Sequence, residues 1–139
     1  MPISLTRRIA FAAAHRYRIA AWSDERNAAT FGLCARPNYH GHSYVCDVTV
    51  TGPIDPVTGF VVDLGVLDAA LQHEVRDRFD HANINLDVPE FADGGLIPTG
   101  ENLARFIAER VQAALGRAAV VTRVTVAEDA TLSATYEPD

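Results

Sequence analysis

HSYVCDVTVT, residues 42–51, alternates core-type with polar side chains and predicts a β-strand. Every second position carries a residue suited to a buried face: Tyr44, Cys46, Val48 and Val50. This period of two favours a strand with one face against a core. The next stretch, TGPIDPVTGF at residues 51–60, is punctuated by glycine and proline, and it predicts a hairpin connection into FVVDL at residues 60–64.

Upstream of this strand, ISLTRRIAFAAAH at residues 3–15 has the same period and predicts a long strand that ends at His15. Residues 16–39 lack a clean period, so we expect an irregular loop between the two strands. A loop of this length in a compact domain is more often functional than idle.

Two amphipathic helices are predicted in the second half of the chain. Between Leu64 and Phe79 the apolar residues recur at three- and four-residue spacing. A loop is predicted at residues 80–91. PTGENLARFIAERVQAAL, residues 98–115, then repeats the helical spacing behind an N-cap at Thr99.

Two β-branched runs, residues 119–129 and 131–137, predict a terminal hairpin. The element order is therefore strand, strand, helix, helix, strand, strand. This order predicts an α+β fold in which two helices cover one face of an antiparallel sheet.

Composition and charge exclude several classes of function. At 139 residues and 48% hydrophobic composition, the chain is expected to form one domain, residues 1–139. A net charge of −6 argues against a general nucleic-acid binder. All 12 basic residues are arginines, which excludes Schiff-base and P-loop lysine chemistry. Neither a membrane span nor an export signal is recognisable, so we expect a cytoplasmic protein with free thiols.

His40 and His42 are candidate metal ligands. If the chain is extended there, both side chains leave the same face with their α-carbons about 6.6 Å apart. His15 could supply a third nitrogen from the neighbouring strand. Three histidines with an open fourth position are the ligand set of a catalytic zinc ion. A pair of exposed or hydrogen-bonded histidines is the alternative interpretation.

Cys34 lies on the loop that leads to these histidines. A thiol near a metal ion and cationic groups has its thiolate favoured, which suits a base or nucleophile, whereas a small buried hydrophobe is the alternative. We assign the second cysteine, Cys46, that structural role. Asp80 and His81 could form a proton-transfer pair, although adjacent side chains often point apart.

Glu128 continues the alternating apolar series of the strand at residues 119–129. A carboxylate on an apolar face needs a partner, such as the guanidine-like edge of a heterocycle. Fraying of the strand at that point would instead leave Glu128 solvated. Glu101 has a sufficient explanation as a first-turn acid favoured by the helix dipole, and His73 is expected to be solvated.

Six motifs, in this order, resemble the 6-pyruvoyl- and 6-carboxytetrahydropterin synthase family: FAAAH (11–15), CARPNYHGHSY (34–44), GFVVDL (59–64), FDHANIN (79–85), PTGEN (98–102) and AED (127–129). They cover nearly the whole chain. The resemblance implies the tunnelling fold (T-fold), an antiparallel four-stranded sheet with two helices on one face. It also implies trimers stacked into hexamers, with active sites between subunits.

The resemblance also implies roles for individual residues. It implies three zinc (Zn2+) ligands: His15, His40 and His42. It implies three catalytic residues: Cys34, Asp80 and His81. It implies three residues at the pterin site, the first of them the anchor for the guanidine edge: Glu128, Glu101 and Thr99. Asp63 matches a family acid to which we assign a structural role.

The implied substrate is 7,8-dihydroneopterin triphosphate, which loses triphosphate by elimination. The five residues ARPNY between Cys34 and His40 resemble the 6-pyruvoyl-forming enzymes. The alternative is a 6-carboxytetrahydropterin synthase of the queuosine (deazapurine) pathway, which also releases acetaldehyde. A noncatalytic pterin- or metal-binding protein is a further alternative. Arginines such as Arg16 or Arg36 could hold the phosphate tail.

Overall fold

A computed structural model describes residues 3–139 of the chain. These residues form an α+β fold around one five-stranded sheet. The strands are β1 (Ile3–His15), β2 (His40–Gly52), β3 (Ala82–Asn83), β4 (Val120–Asp129) and β5 (Leu132–Tyr136). Their order across the sheet is β3-β1-β2-β4-β5.

The four long strands are antiparallel to their neighbours, but β3 makes the sheet mixed. β3 pairs in parallel with β1 at Ala13 and Ala14. The prediction of a purely antiparallel four-stranded sheet was therefore wrong, because it omitted this two-residue parallel strand. Its cause is local docking of the preceding turn, in which the His81 amide donates to the Ala12 carbonyl at 2.6 Å. Such a short strand leaves no period of two in the sequence.

Five helices accompany the sheet. They are α1 (Asp24–Phe31), α2 (Leu64–Leu71), α3 (Asp77–Phe79), α4 (Ile84–Asp87) and α5 (Gly100–Leu115). A π-helical turn, Gln72–Arg76, joins α2 to α3, so the predicted helix from Leu64 to Phe79 is confirmed as one helical run. The predicted N-cap of α5 is also confirmed, because the Thr99 side chain accepts from the Asn102 amide.

Two predicted loops contain regular structure. Residues 16–39 hold α1 and a 3-10 turn, Gly32–Ala35. The Ser23 hydroxyl caps α1 by accepting from the Arg26 amide, and the buried Asn27 amide group bonds both backbone groups of Ile19. Because polar side chains stabilise this helix, an apolar period could not reveal it. The predicted loop at residues 80–91 likewise contains β3, α4 and a second 3-10 turn, Pro89–Phe91.

The predicted hairpin into residues 60–64 is not formed. Asp63 instead caps α2, where its carboxylate accepts from the amides of Gly65 and Val66. This is the structural role that we expected for Asp63. The terminal hairpin of β4 and β5 is confirmed.

The core lies between one face of the sheet and the helical run from Leu64 to Phe79 together with α5. The β2 side chains predicted to face inwards are all fully buried: Tyr44, Cys46, Val48 and Val50. They pack with helix residues such as Leu67, Val75 and Leu103. Among residues 3–139, no helix is long and apolar enough to cross a membrane.

Candidate metal centre and active site

Three histidines meet where β1 ends and β2 begins. His15 and His40 are cross-strand partners, and His42 follows two residues along on the same face of β2. The side chains therefore leave the sheet on its core face, and one ring nitrogen from each lies within 4.8 Å of the others. The His15 Nε2 and His40 Nε2 atoms are 3.1 Å apart. Sequence spacing predicted this convergence, and the structure confirms it.

His15 is held in the tautomer that a metal requires. Its Nδ1 atom lies 2.9 Å from the Pro98 carbonyl oxygen and 2.9 Å from the Tyr44 hydroxyl. A carbonyl oxygen can only accept, so Nδ1 donates and Nε2 keeps its lone pair for the cluster. Burial, followed by the charges of His40 and His42, lowers the pKa of His15 to about 4. The ring is therefore neutral at pH 7, which is the form that binds a metal ion.

A further observation, at His42, also indicates a metal centre. Its Nε2 atom is the only buried side-chain nitrogen or oxygen without a hydrogen-bond partner in the described part of the chain. A buried polar atom without a partner costs free energy unless a ligand satisfies it. The 3.1 Å separation of the His15 and His40 nitrogens is also close to the roughly 3.4 Å expected between ligands on one tetrahedral zinc ion. The residues thus fit a zinc ion.

Glu128 lies beside the histidines. It belongs to β4 and is only 8% exposed. The alternative interpretation, in which the strand frays and Glu128 is solvated, is therefore wrong. Its Oε2 atom is 3.8 Å from His42 Nε2, and its Oε1 atom is 4.0 Å from His15 Nε2. The Tyr17 hydroxyl donates to Oε1 at 2.8 Å. Tyr17 was not predicted as a site residue. Its position two residues after His15 continues the inward-facing alternation of β1 and could have indicated it.

A small cavity connects Glu128 to the start of α5. Its lining includes Tyr17, Gly100, Glu101 and Glu128, and its volume is about 40 Å³. Thr99 is half-buried at the cap of the same helix. The cavity is far below the ~300–1,000 Å³ of typical ligand pockets. This cavity is therefore too small to enclose a heterocyclic ligand by itself.

Cys34 lies in the 3-10 turn between α1 and β2, close to Tyr17. Its carbonyl oxygen accepts from the Tyr17 amide at 2.7 Å, and its side chain is partly buried. Burial, followed by the charge of Glu128, raises the pKa of the Cys34 thiol. The protein's own groups thus oppose the thiolate that the sequence analysis favoured. A bound divalent cation acts in the other direction.

Asp80 and His81 do contact each other, with 3.1 Å between Asp80 Oδ2 and His81 Nδ1. The other carboxylate oxygen, Asp80 Oδ1, accepts from the Ala12 amide at 2.9 Å. This backbone hydrogen bond, together with His81, lowers the pKa of Asp80. His81 has a left-handed backbone, with φ of 61°, and its side chain is 85% exposed. The pair is therefore fixed at its base and open to solvent at its imidazole.

Among residues 3–139, His81 forms no hydrogen bond or ion pair with the three histidines of its own chain; its contacts are to Asp80 and Ala12. His81 lines a depression of about 440 Å³, and the cluster residue His42 also contributes to its lining. The other lining residues include Ala12, Ala14, Gly41 and Ser43. These four residues alternate with the core-facing residues of β1 and β2. The depression therefore opens mainly on the sheet face opposite the core, whereas Cys34 lies near Glu128.

A three-imidazole cluster on an α+β scaffold, flanked by a buried glutamate, defines a candidate mononuclear metal centre. The chain belongs to the 6-pyruvoyl tetrahydropterin synthase family, whose model matches residues 4–139. The family resemblance found in the sequence is thereby confirmed.

Individual relatives agree with this family. The chain is 43% identical to human 6-pyruvoyl tetrahydrobiopterin synthase over 111 residues, 80% of this chain and 75% of the relative. It is 33% identical over 112 residues to the 6-carboxy-5,6,7,8-tetrahydropterin synthase of Bacillus subtilis, 77% of this chain and 72% of the relative. The solved 6-pyruvoyl tetrahydropterin synthase of Caenorhabditis elegans superposes with a TM-score of 0.93 at 33% identity, covering 100% and 97% of the two chains.

Proposed function

We propose that this protein is a tetrahydropterin synthase, a zinc-dependent lyase that eliminates triphosphate from 7,8-dihydroneopterin triphosphate and yields a 6-pyruvoyl product. The observation that carries the proposal is the cluster of His15, His40 and His42, with its oriented His15 ring and its unpartnered His42 Nε2 atom. The names of the relatives support the substrate class. Residues 1–139 constitute one tetrahydropterin-synthase-like domain.

The three histidines hold the metal ion in this proposal. Zinc suits three imidazoles, and it would supply Lewis-acid polarisation of the side-chain oxygens of the substrate. The Pro98 carbonyl and the Tyr44 hydroxyl act through His15, because they fix the ring that presents Nε2.

Glu128 anchors the pterin. The guanidine-like edge of a pterin presents neighbouring N–H donors, and a carboxylate accepts such a pair bidentately. Tyr17 occupies one lone pair of Oε1, which leaves the remaining acceptor sites of the carboxylate for the ligand. Glu101 lines the same cavity as Glu128, and Thr99 caps the helix that begins there. We assign both residues to the pterin site.

Cys34 and the Asp80–His81 pair move protons, and they do so across two copies of the chain. Cys34 lies near Glu128, while the exposed His81 imidazole lines a depression that opens mainly on the other face of the sheet. A neighbouring copy that brings its own His81 to this Cys34 would complete the relay. The proposed assembly is a homo-oligomer, a hexamer built from two trimers, with the site between subunits.

The relative from Bacillus subtilis favours a second candidate function, 6-carboxytetrahydropterin synthesis with release of acetaldehyde. Both reactions begin with the same substrate and the same metal centre. They differ in the product, which turnover of the purified protein identifies.

Two histidine variants test the dependence of the reaction on the metal centre. His40→Ala removes one proposed ligand, and His73→Ala removes an imidazole that is 85% exposed and pairs with Asp77 away from the cluster. We expect zinc near one equivalent per chain in the wild type and in His73→Ala, and much less in His40→Ala. Loss of the Lewis acid is worth several kcal/mol, so turnover by His40→Ala should fall about a hundredfold or more. Unchanged zinc content and turnover in His40→Ala would exclude the proposal.

A further inference from the structure

A larger cavity lies beside the turn that holds Cys34, and it contains both arginines that the sequence offered as candidates for the phosphate tail, Arg16 and Arg36. It has a volume of about 490 Å³ and is formed by the segment after β1, by α1 and by the turn that follows α1. Three arginines line it: Arg16, Arg18 and Arg36. The chain as a whole carries a net charge of −6, so this concentration of guanidinium groups is a local exception.

We call this cavity the arginine pocket. The positive charge of its three arginines is only partly neutralised by acidic residues in its own lining. Asp24 is the one acid among its lining residues, and Asp24 Oδ1 lies 2.8 Å from Arg18 Nη1. Three guanidinium groups against one carboxylate leave a net charge of about +2 on the lining. Arginine presents several donors in a planar fork that matches phosphate oxygens, and it stays charged at every working pH.

The position of the pocket ties it to the proposed active site. Gly32 and Ala35 form part of its wall, and they belong to the same 3-10 turn as Cys34. Arg16 directly follows the metal-cluster residue His15. Its backbone is clamped by Asn85, which accepts from the Arg16 amide at 2.9 Å and donates to the Arg16 carbonyl at 3.0 Å.

The side chains of the pocket are held in place by further contacts. The Arg16 guanidinium lies over the Tyr39 ring, 5.1 Å from its centroid, which orients it without neutralising it. Asn27, which is buried, fixes the wall by bonding the backbone of Ile19 and Ser23. The pocket is therefore a preformed cationic concavity.

We propose that this pocket binds the polyphosphate tail of the substrate through Arg16, Arg18 and Arg36, with Asp24 as an internal counter-ion that weakens the binding. The assignment of the tail rests on the proposed function, because it names where a triphosphate would lie while its pterin reaches Glu128. A linear polyphosphate carries several negative charges and matches a lining that is cationic and rich in donors.

Titration of the full-length protein with inorganic tripolyphosphate, followed by calorimetry, tests the binding directly. Each charge-assisted contact is worth about 1.5–3 kcal/mol, so Arg18→Ala and Arg36→Ala should each weaken binding roughly tenfold or more. Asp24→Asn should strengthen it, because Arg18 loses its competing partner. Arg117→Ala, an exposed arginine just after α5 and outside the pocket, is the matched control and should bind like the wild type. Any withdrawal of metal by tripolyphosphate is common to all variants, so the differences between variants report the pocket.

Steady-state kinetics separates this inference from the proposed function. Arg18→Ala and Arg36→Ala should raise KM for dihydroneopterin triphosphate, while the affinity for 7,8-dihydroneopterin, which lacks the tail, should stay unchanged. If the wild type turns over the substrate but neither variant changes KM or tripolyphosphate affinity, the pocket assignment is overturned and the proposed function stands. If the wild type shows no turnover yet the variants weaken tripolyphosphate binding, the proposed function fails and the pocket remains an anion site.

Discussion

Tyr17 shows how a single side chain sets the electrostatics of the candidate site. Its hydroxyl donates to Glu128 Oε1 at 2.8 Å. Without this hydrogen bond the carboxylate would be free to turn towards the imidazoles of His42 and His15, which lie 3.8 and 4.0 Å away. Burial, followed by the hydrogen bond and charge of Glu128, raises the pKa of Tyr17 well above its ordinary value. The hydroxyl therefore remains a donor at every working pH.

Tyr17→Phe should loosen the pterin anchor without emptying the metal centre. A hydrogen bond to a charged group is worth about 1.5–3 kcal/mol, so we expect KM for the pterin substrate to rise roughly tenfold. Zinc content should be unchanged, because the variant leaves all three histidines intact. Tyr136→Phe, on β5, is the control and should keep the wild-type KM. An unchanged KM in Tyr17→Phe would show that Tyr17 does not position Glu128.

Elements with strong periodicity could be predicted from the sequence, and those stabilised by polar side chains could not. β1, β2, β4 and α5 each bury an apolar face, and this burial leaves a period of two or of three to four. α1 depends instead on the Ser23 cap and the buried Asn27. β3 exists because the Asp80–His81 turn docks on the backbone of Ala12. Contacts between distant segments of this kind have no local signature.

The same distinction holds for the candidate site. His15, His40 and His42 lie on paired strands, so their spacing allowed convergence as one of two interpretations, and the structure shows that they converge. The roles of Pro98 and Tyr17 depend on how α5 and the segment after β1 meet the cluster. The arginine pocket likewise needs α1 in place, and α1 was not predicted.

At the scale of the whole molecule, the proposed relay joins Cys34 of one copy to His81 of a neighbouring copy. Cys34→Ala and His81→Ala should each abolish turnover when present in every copy. If one site takes Cys34 from one copy and His81 from its neighbour, a random equal mixture co-assembled in one cell should regain about a quarter of wild-type turnover. The control is a mixture of the separately purified variants before any exchange of subunits, which should stay inactive. Co-assembled protein that stays inactive would place the whole relay within one chain.

The most direct test of the central claim is the identity of the product. Zinc-loaded wild-type protein is incubated with freshly prepared 7,8-dihydroneopterin triphosphate, and the products are identified by mass spectrometry. We predict a 6-pyruvoyl tetrahydropterin and inorganic triphosphate in equal amounts. A 6-carboxy product with acetaldehyde would contradict the pyruvoyl assignment in favour of the second candidate. Intact substrate at full zinc occupancy would contradict the account as a whole and leave a pterin- or metal-binding protein.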